Sequence, residues 1–243
     1  MLPLPPGGAL HLLALAGLAA LIGGLSAVER KGAFQLMLSR PLPLSAFLGW
    51  ALGDSHTGLM LGVPLELLFL GGVNLGGNLP DNESLLAGAV TSMVVPAAIA
   101  SHLAGDPALA AMGLALLFPL ALFGRRLERA SELRNSQLME LALARAAGGD
   151  ARAARVNLRG LLLPFGAAAG ICALAVFVSP VLAWLRTTAP LGVVLALQGG
   201  WHAIWAVAAA CAIRAIRDHR APAVAAVVAA VVLAAGLAVR EFL

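Results

Sequence analysis

Between Ser84 and Leu103 no residue carries a charge, and the chain repeats that condition along most of its length. Apolar runs of similar extent lie near His11 to Val28, Pro107 to Gly124, Leu158 to Val181, Ala189 to Ile213 and Ala221 to Val239. A helix needs about 20 consecutive apolar residues to cross the hydrocarbon core of a bilayer. Only 12% of the 243 residues are charged, against about 25% in an ordinary soluble domain. So few charges cannot solvate a globular surface, and the chain has to be read with lipid as its solvent. The expected fold is all-α and polytopic, one membrane-embedded domain over residues 1–243 with about six spanning helices.

The net charge of +4 does not point to nucleic acid, because the basic residues are neither lysine runs nor interleaved with aromatics. Eight of the 16 fall between Arg125 and Arg159, mixed with Glu128, Glu132, Glu140 and Asp150. A basic cluster between apolar runs is the signature of a cytoplasmic loop. Its Leu and Ala residues stand at helical spacing, so residues 125–157 read as a charged helical connector on the cytoplasmic side. Glu29-Arg30-Lys31 and Arg214-Arg217-Arg220 then fall on the same side, which puts both termini outside. Residues 1–28 carry no charge and lack the basic start of a signal peptide, so the first run reads as a retained membrane segment. Cys172 and Cys211 lie inside apolar runs without metal-ligand spacing and read as packing residues.

The stretch from Pro41 to Gly72 breaks the pattern. Gly53-Asp54-Ser55-His56-Thr57-Gly58 cuts it into two pieces too short to span, the expected form of a re-entrant helical hairpin. Irregular backbone at that depth survives only when buried in protein or lining a cavity, and short, glycine-interrupted segments point to a transporter's binding site. Glu66 is surrounded by Pro64, Leu65, Leu67, Leu68, Phe69 and Leu70, where an ionisable group is a functional candidate by default and a paired structural carboxylate otherwise. Asp54 suits either a helix cap or a ligand contact. Asn74 and Asn78 offer amides among Gly71, Gly72, Gly76 and Gly77, where a ligand can approach the backbone closely.

Carboxylates with amides suit a neutral polyhydroxy ligand, and Asp54 with Glu66 would equally suit protons or sodium. No Ser-His-Asp set, phosphate loop or His/Cys cluster is present, so neither a catalytic residue, a metal nor a cofactor is expected. His102 and His202 read as helix-to-helix hydrogen-bond donors before they read as phosphoryl carriers. Gln198 beside His202 is a lesser cavity candidate. Trp184, Trp201 and Trp205 fit interfacial anchoring at least as well as sugar stacking.

An ordered set of short motifs carries a family resemblance. Glu29-Arg30, Phe34-Gln35, Ser39-Arg40-Pro41-Leu42, Gly53-Asp54 with Thr57-Gly58, Leu65-Glu66-Leu67, Leu70-Gly71 and Leu79-Pro80-Asp81 follow one another over about fifty residues. The set resembles the IIC membrane subunit of the mannose/fructose/sorbose-type sugar phosphotransferase systems, and the later Gln198-Gly199-Gly200 also fits. The resemblance implies a multi-pass permease of the bacterial inner membrane that moves a hexose-type sugar and bears no phosphohistidine. It implies an oligomeric complex with a IID membrane subunit, served by soluble IIA and IIB phosphocarriers, with IIB phosphorylating the sugar. On that analogy the sugar contacts are Asp54, Glu66, Asn74 and Gln35. The sequence departs from the pattern in Glu29, where Asp is usual, in the single Pro before Asp81 and in His56, and these leave the sugar open. Two other readings stay beside the permease: a regulatory subunit of a degenerate system, and an ion-coupled transporter using Asp54 and Glu66.

Overall fold

The computed structural model describes residues 8–31, 36–70, 81–150 and 155–215, with residues 220, 223 and 226. It is helical throughout, with no strand among the described residues. Helix α1 covers Gly8–Arg30 and α4 covers Glu83–Ser101. At 1.5 Å per residue these measure roughly 34 and 28 Å, the thickness of a hydrocarbon core. Helix α8 (Leu162–Thr188) and α9 (Leu191–Ala215) are equally long and apolar. The fifth crossing is composite. Helix α5 (Pro107–Leu117) meets α6 (Pro119–Ala147) at Phe118, where Pro119 supplies no N–H to continue the ladder. The chain is therefore a polytopic membrane protein with five candidate spans among the described residues. The expected span from Ala221 to Val239 lies outside them.

Between α1 and α4 stand two shorter helices, α2 (Pro41–Leu52) and α3 (Ser55–Phe69). They form the expected hairpin, with arms of 12 and 15 residues. A four-residue helix, α7 (Val156–Arg159), precedes α8. Helix α4 is the centre of the bundle, with α1, α2, α3, α5, α6 and α8 packed around it and Leu86, Val90, Val94 and Ala97 fully buried. Caps follow the sequence signals: Asn82 Oδ1 accepts from Leu85 N to start α4, and Asp106 Oδ1 accepts from Ala108 N to start α5 ahead of Pro107.

The ion pairs sort to the two ends of this bundle. At one end Arg30 pairs with Glu83 (2.6 Å) and Glu128 (3.1 Å), Lys31 with Glu128, and Arg125 with Asp81. At the other, Arg186 near the close of α8 pairs with Asp106 at the start of α5 (2.5 Å). Glu29-Arg30-Lys31 and Arg125 thus share one end, the arginine-rich end, as the charge pattern predicts. Residues 125–147 of the expected connector are helical and continuous with the last crossing segment before them. This part is the continuation of α6, which touches Asn82 at Gly124, Arg30 and Lys31 at Glu128, and borders a cavity with Pro164 and Ala168 at Ser131. These partners begin or end three different helices, so the segment of α6 from Gly124 to Ser131 lies against that end of the bundle.

Candidate functional site

The hairpin enters through a proline. Pro41 occupies the first turn of α2, where a missing N–H costs nothing, and Arg40 before it is extended. At the tip Gly53 takes φ +102°, donating to Trp50 O, while Asp54 N reaches Gly49 O (2.8 Å). This paired 6→1 and 5→2 closure requires a left-handed residue, and glycine pays no steric penalty there. The chain turns straight into α3. Asp54 Oδ1 accepts from Thr57 N (3.0 Å), and Thr57 Oγ1 donates to Asp54 Oδ2 (2.5 Å).

Small residues let the two arms touch. A Cβ on Gly49 would lie 2.7 Å from Gly58 Cα, and one on Gly62 would lie 3.0 Å from Ser45 Cβ. Close approach of this kind is how helices associate in lipid, where burial of apolar surface drives nothing. The tip is fastened to the α4–α5 turn: Gly105 N donates to Thr57 Oγ1 (2.9 Å), and the His56 ring lies against Gly105. Both arms therefore start at the arginine-rich end, and the tip reaches the opposite one.

The base of the hairpin is tied more densely. Arg40 donates from Nε to Glu66 Oε1 (2.8 Å), with its terminal nitrogen 2.6 Å from the same oxygen, and Leu42 N donates to Glu66 Oε2 (3.3 Å). Ser39 N donates to Glu29 Oε2 (2.8 Å), while Ser39 O accepts from Ser84 Oγ (2.5 Å). Arg30 reaches Ser84 Oγ and Asp81 O beyond its two ion pairs. The entry of the hairpin, the end of α1 and the start of α4 thus share one polar layer.

The structure does not bring Asp54 and Glu66 together. They stand twelve residues apart on one helix, which is roughly 18 Å of axial rise. Asp54 caps α3 at the tip, and Glu66 is the partner of Arg40 at the base. The sequence left capping and ligand binding open for Asp54; the capping geometry is present. Gln35, Asn74 and Asn78 lie outside the described residues. Of the lesser candidates, His102 ends α4 with φ +55°, and Gln198 and His202 sit on adjacent turns of α9, the latter exposed. Sequence reading did not single out Arg40, Thr57 or Arg30 as partners. Their signal was the composition of the short motifs themselves, where Arg40 and Thr57 already stood beside the quoted acids. Ser45 on α2 and Thr91 on α4 are fully buried, and their hydroxyls have no hydrogen-bond partner among the described residues. An open apolar groove of about 960 Å³ runs between α1 and the start of α2, with Ile22, Leu25, Leu36 and Phe47 on its walls and Glu29 at its edge. No group of three or more His, Cys, Asp or Glu is placed to hold a metal among the described residues.

Residues 11–240 match the family model described as the sorbose-specific IIC component of the phosphotransferase system. The chain belongs to this family. IIC components are the transport subunits of these sugar-specific systems, so the two-ended hairpin described above is part of a IIC permease. Comparison with curated proteins finds no match. Two solved structures resemble this IIC chain. One, described as "Structure of membrane protein", is 24% identical, with 96% of this chain and 95% of that chain covered and a TM-score of 0.64. The other, the cryo-EM structure of the mannose transporter ManYZ in complex with microcin E492, is 23% identical, with 94% of each chain covered and a TM-score of 0.57. At these identities the likeness speaks to the fold, and it extends over nearly the whole IIC chain.

Proposed function

We propose that this IIC chain binds and translocates a hexose or amino sugar across a bacterial cytoplasmic membrane, and that a soluble IIB partner phosphorylates the sugar on arrival. IIA supplies the phosphoryl group to IIB, and a IID subunit completes the membrane complex; the mannose transporter ManYZ, a structure with this fold, is itself two-component by name. The arginine-rich end faces the cytoplasm, as the positive-inside rule requires of a short basic connector. The observation that carries this reading is the hairpin of a IIC permease with a carboxylate at each end of α3. The sugar contacts in this reading are Asp54, Glu66, Asn74 and Gln35, and the separation along α3 puts the two acids at different positions on the route it envisages. A carboxylate accepts sugar hydroxyls, while the orphan hydroxyls of Ser45 and Thr91 are groups a polar ligand would satisfy. The same distance leaves an ion-coupled transporter no shared carboxylate site.

The test is sugar binding to the chain co-expressed with a IID subunit. Glu66→Gln is expected to weaken hexose binding at least tenfold while the protein still inserts. Arg40→Gln, which breaks the same ion pair but leaves the carboxylate, separates contact from scaffolding. Unchanged affinity in Glu66→Gln removes that residue from the site. Uptake that persists without phosphoenolpyruvate and collapses with an uncoupler would favour ion coupling, and a chain that binds sugar without importing it would favour a regulatory subunit.

A further inference from the structure

Five cations among the described residues are held in ion pairs; Arg145 in the last turn of α6, Arg155 just before α7 and Arg159 at its end are not among them. Arg145, Arg155 and Arg159 line one open cleft of about 970 Å³ together with Asp150 and the buried Val156, so three cations face one acid there. None of the three arginines has an ion pair among the described residues. The local chain builds this convergence. Helix α6 ends in a left-handed turn at Gly149 (φ +76°), with Asp150 N donating to Arg145 O (3.1 Å) and Gly149 N to Ala146 O (3.0 Å). That closure satisfies the last carbonyls of α6 and fixes Arg145 in its final turn. Arg155 and Arg159 are four residues apart, the spacing that puts two side chains on one helical face.

The cleft stands at the edge of the membrane. Arg159 precedes the spanning helix α8 by three residues, and the start of α8 shares a cavity with Arg30, Lys31 and Ser131 at the arginine-rich end. Beside the arginines, Leu158 and Leu162 are 64% and 62% exposed. Guanidinium groups flanked in the chain by exposed leucines suit a phospholipid, which offers a phosphate and acyl chains together. Arginine's fork of donors suits the oxygens of a phosphate.

We propose that the Arg145–Arg155–Arg159 cleft binds the phosphate of an anionic phospholipid and so anchors the α6–α7 elbow to the membrane surface. This depends on the arginine-rich end lying at a membrane face and not on the sugar reading, so either can fail alone. Phosphate is the shared chemistry of a lipid headgroup, the free anion and a phosphorylated protein. The flanking leucines favour the lipid.

Native mass spectrometry of the full chain in neutral detergent tests it, titrating phosphatidylglycerol against phosphatidylcholine. Wild type is expected to retain phosphatidylglycerol at least tenfold more tightly. The triple variant Arg145→Gln/Arg155→Gln/Arg159→Gln is expected to lose that preference with its helical content unchanged by circular dichroism. A control of equal charge loss, Arg126→Gln/Arg129→Gln/Arg134→Gln, is expected to keep it. Equal binding of the two lipids by wild type overturns the proposal, as does a preference that survives the cleft variant or disappears in the control. Millimolar inorganic phosphate that displaces phosphatidylglycerol would make the cleft a general phosphate site and overturn the lipid assignment. A phosphorylated soluble carrier that binds wild type but not the cleft variant, without any lipid preference, would overturn it as well.

Discussion

Asp54 is held twice by Thr57, through its backbone N–H at one carboxylate oxygen and through its hydroxyl at the other. The same hydroxyl accepts from Gly105 N across the interface. Helix capping, tip geometry and docking of the hairpin on the α4–α5 turn therefore pass through one threonine.

Asparagine caps helices about as well as aspartate, whereas alanine costs about 0.5–2 kcal/mol. Asp54→Asn is thus expected to keep the thermal midpoint of the purified protein near wild type, while Asp54→Ala lowers it by a few degrees. Sugar uptake then reads the second role. If Asp54→Asn transports at the wild-type rate, the carboxylate is a cap and nothing more.

The contact between the arms is expected to be the least tolerant position in the hairpin. A Cβ on Gly49 meets backbone atoms, which cannot rotate away. Overpacking of this kind costs about 1–3 kcal/mol, so Gly49→Ala and Gly58→Ala should lower thermal stability clearly. Gly199→Ala and Gly200→Ala, where nothing stands within 4 Å, should not. Equal effects at all four positions would argue against arm-to-arm packing.

Arg40 and Glu66 are 32% and 18% exposed at their side chains, so the pair is only partly screened. Removing one partner strands the other's charge, and removing both does not. In a double-mutant cycle, Arg40→Gln with Glu66→Gln should be no less stable than the worse single variant, with a coupling of about 1 kcal/mol. Strict additivity in urea or thermal unfolding would mean that the pair contributes nothing.

Arg30 serves three helices at once, through Glu83, Glu128, Ser84 and the Asp81 carbonyl. Arg30→Gln leaves two acids short of a partner and should destabilise the protein more than Arg126→Gln, whose side chain is exposed. Scanning calorimetry in detergent distinguishes them. A smaller effect at Arg30 would show that the polar layer is not a fastening.

The spans were legible in the sequence because lipid imposes a length and forbids charge: the run from Ser84 to Leu103 became α4 within two residues at either end. The hairpin was legible too, since Gly53 and Asp54 interrupt a run that is otherwise apolar. What spacing could not give was company. Asp54 and Glu66 shared a segment in the sequence but face opposite ends, because a helix carries its residues apart by axial rise. Arg30 and Glu128, 98 residues apart, meet only through the packing of α1 and α6 on α4. The break at Phe118 was also hidden, because Pro119 sits inside a run whose hydropathy alone reads as continuous.

The fastening of the hairpin is unequal. Its base is joined to α1 and α4 through Ser39, which meets Glu29 and Ser84, and is closed on itself by Arg40 and Glu66, whereas Gly105 N–H to Thr57 is the one hydrogen bond joining its tip to the α4–α5 turn among the described residues. A door has the same build, with several leaves of hinge along one edge and one catch on the other. Exchange with heavy water should register this as early labelling at the Gly105 amide, while Ser39 and Leu42 stay protected. The catch lies far from the arginine-rich face, so whatever releases it comes from the opposite end of the bundle or is carried there along the helices that join the two ends, α3 and α4 among them.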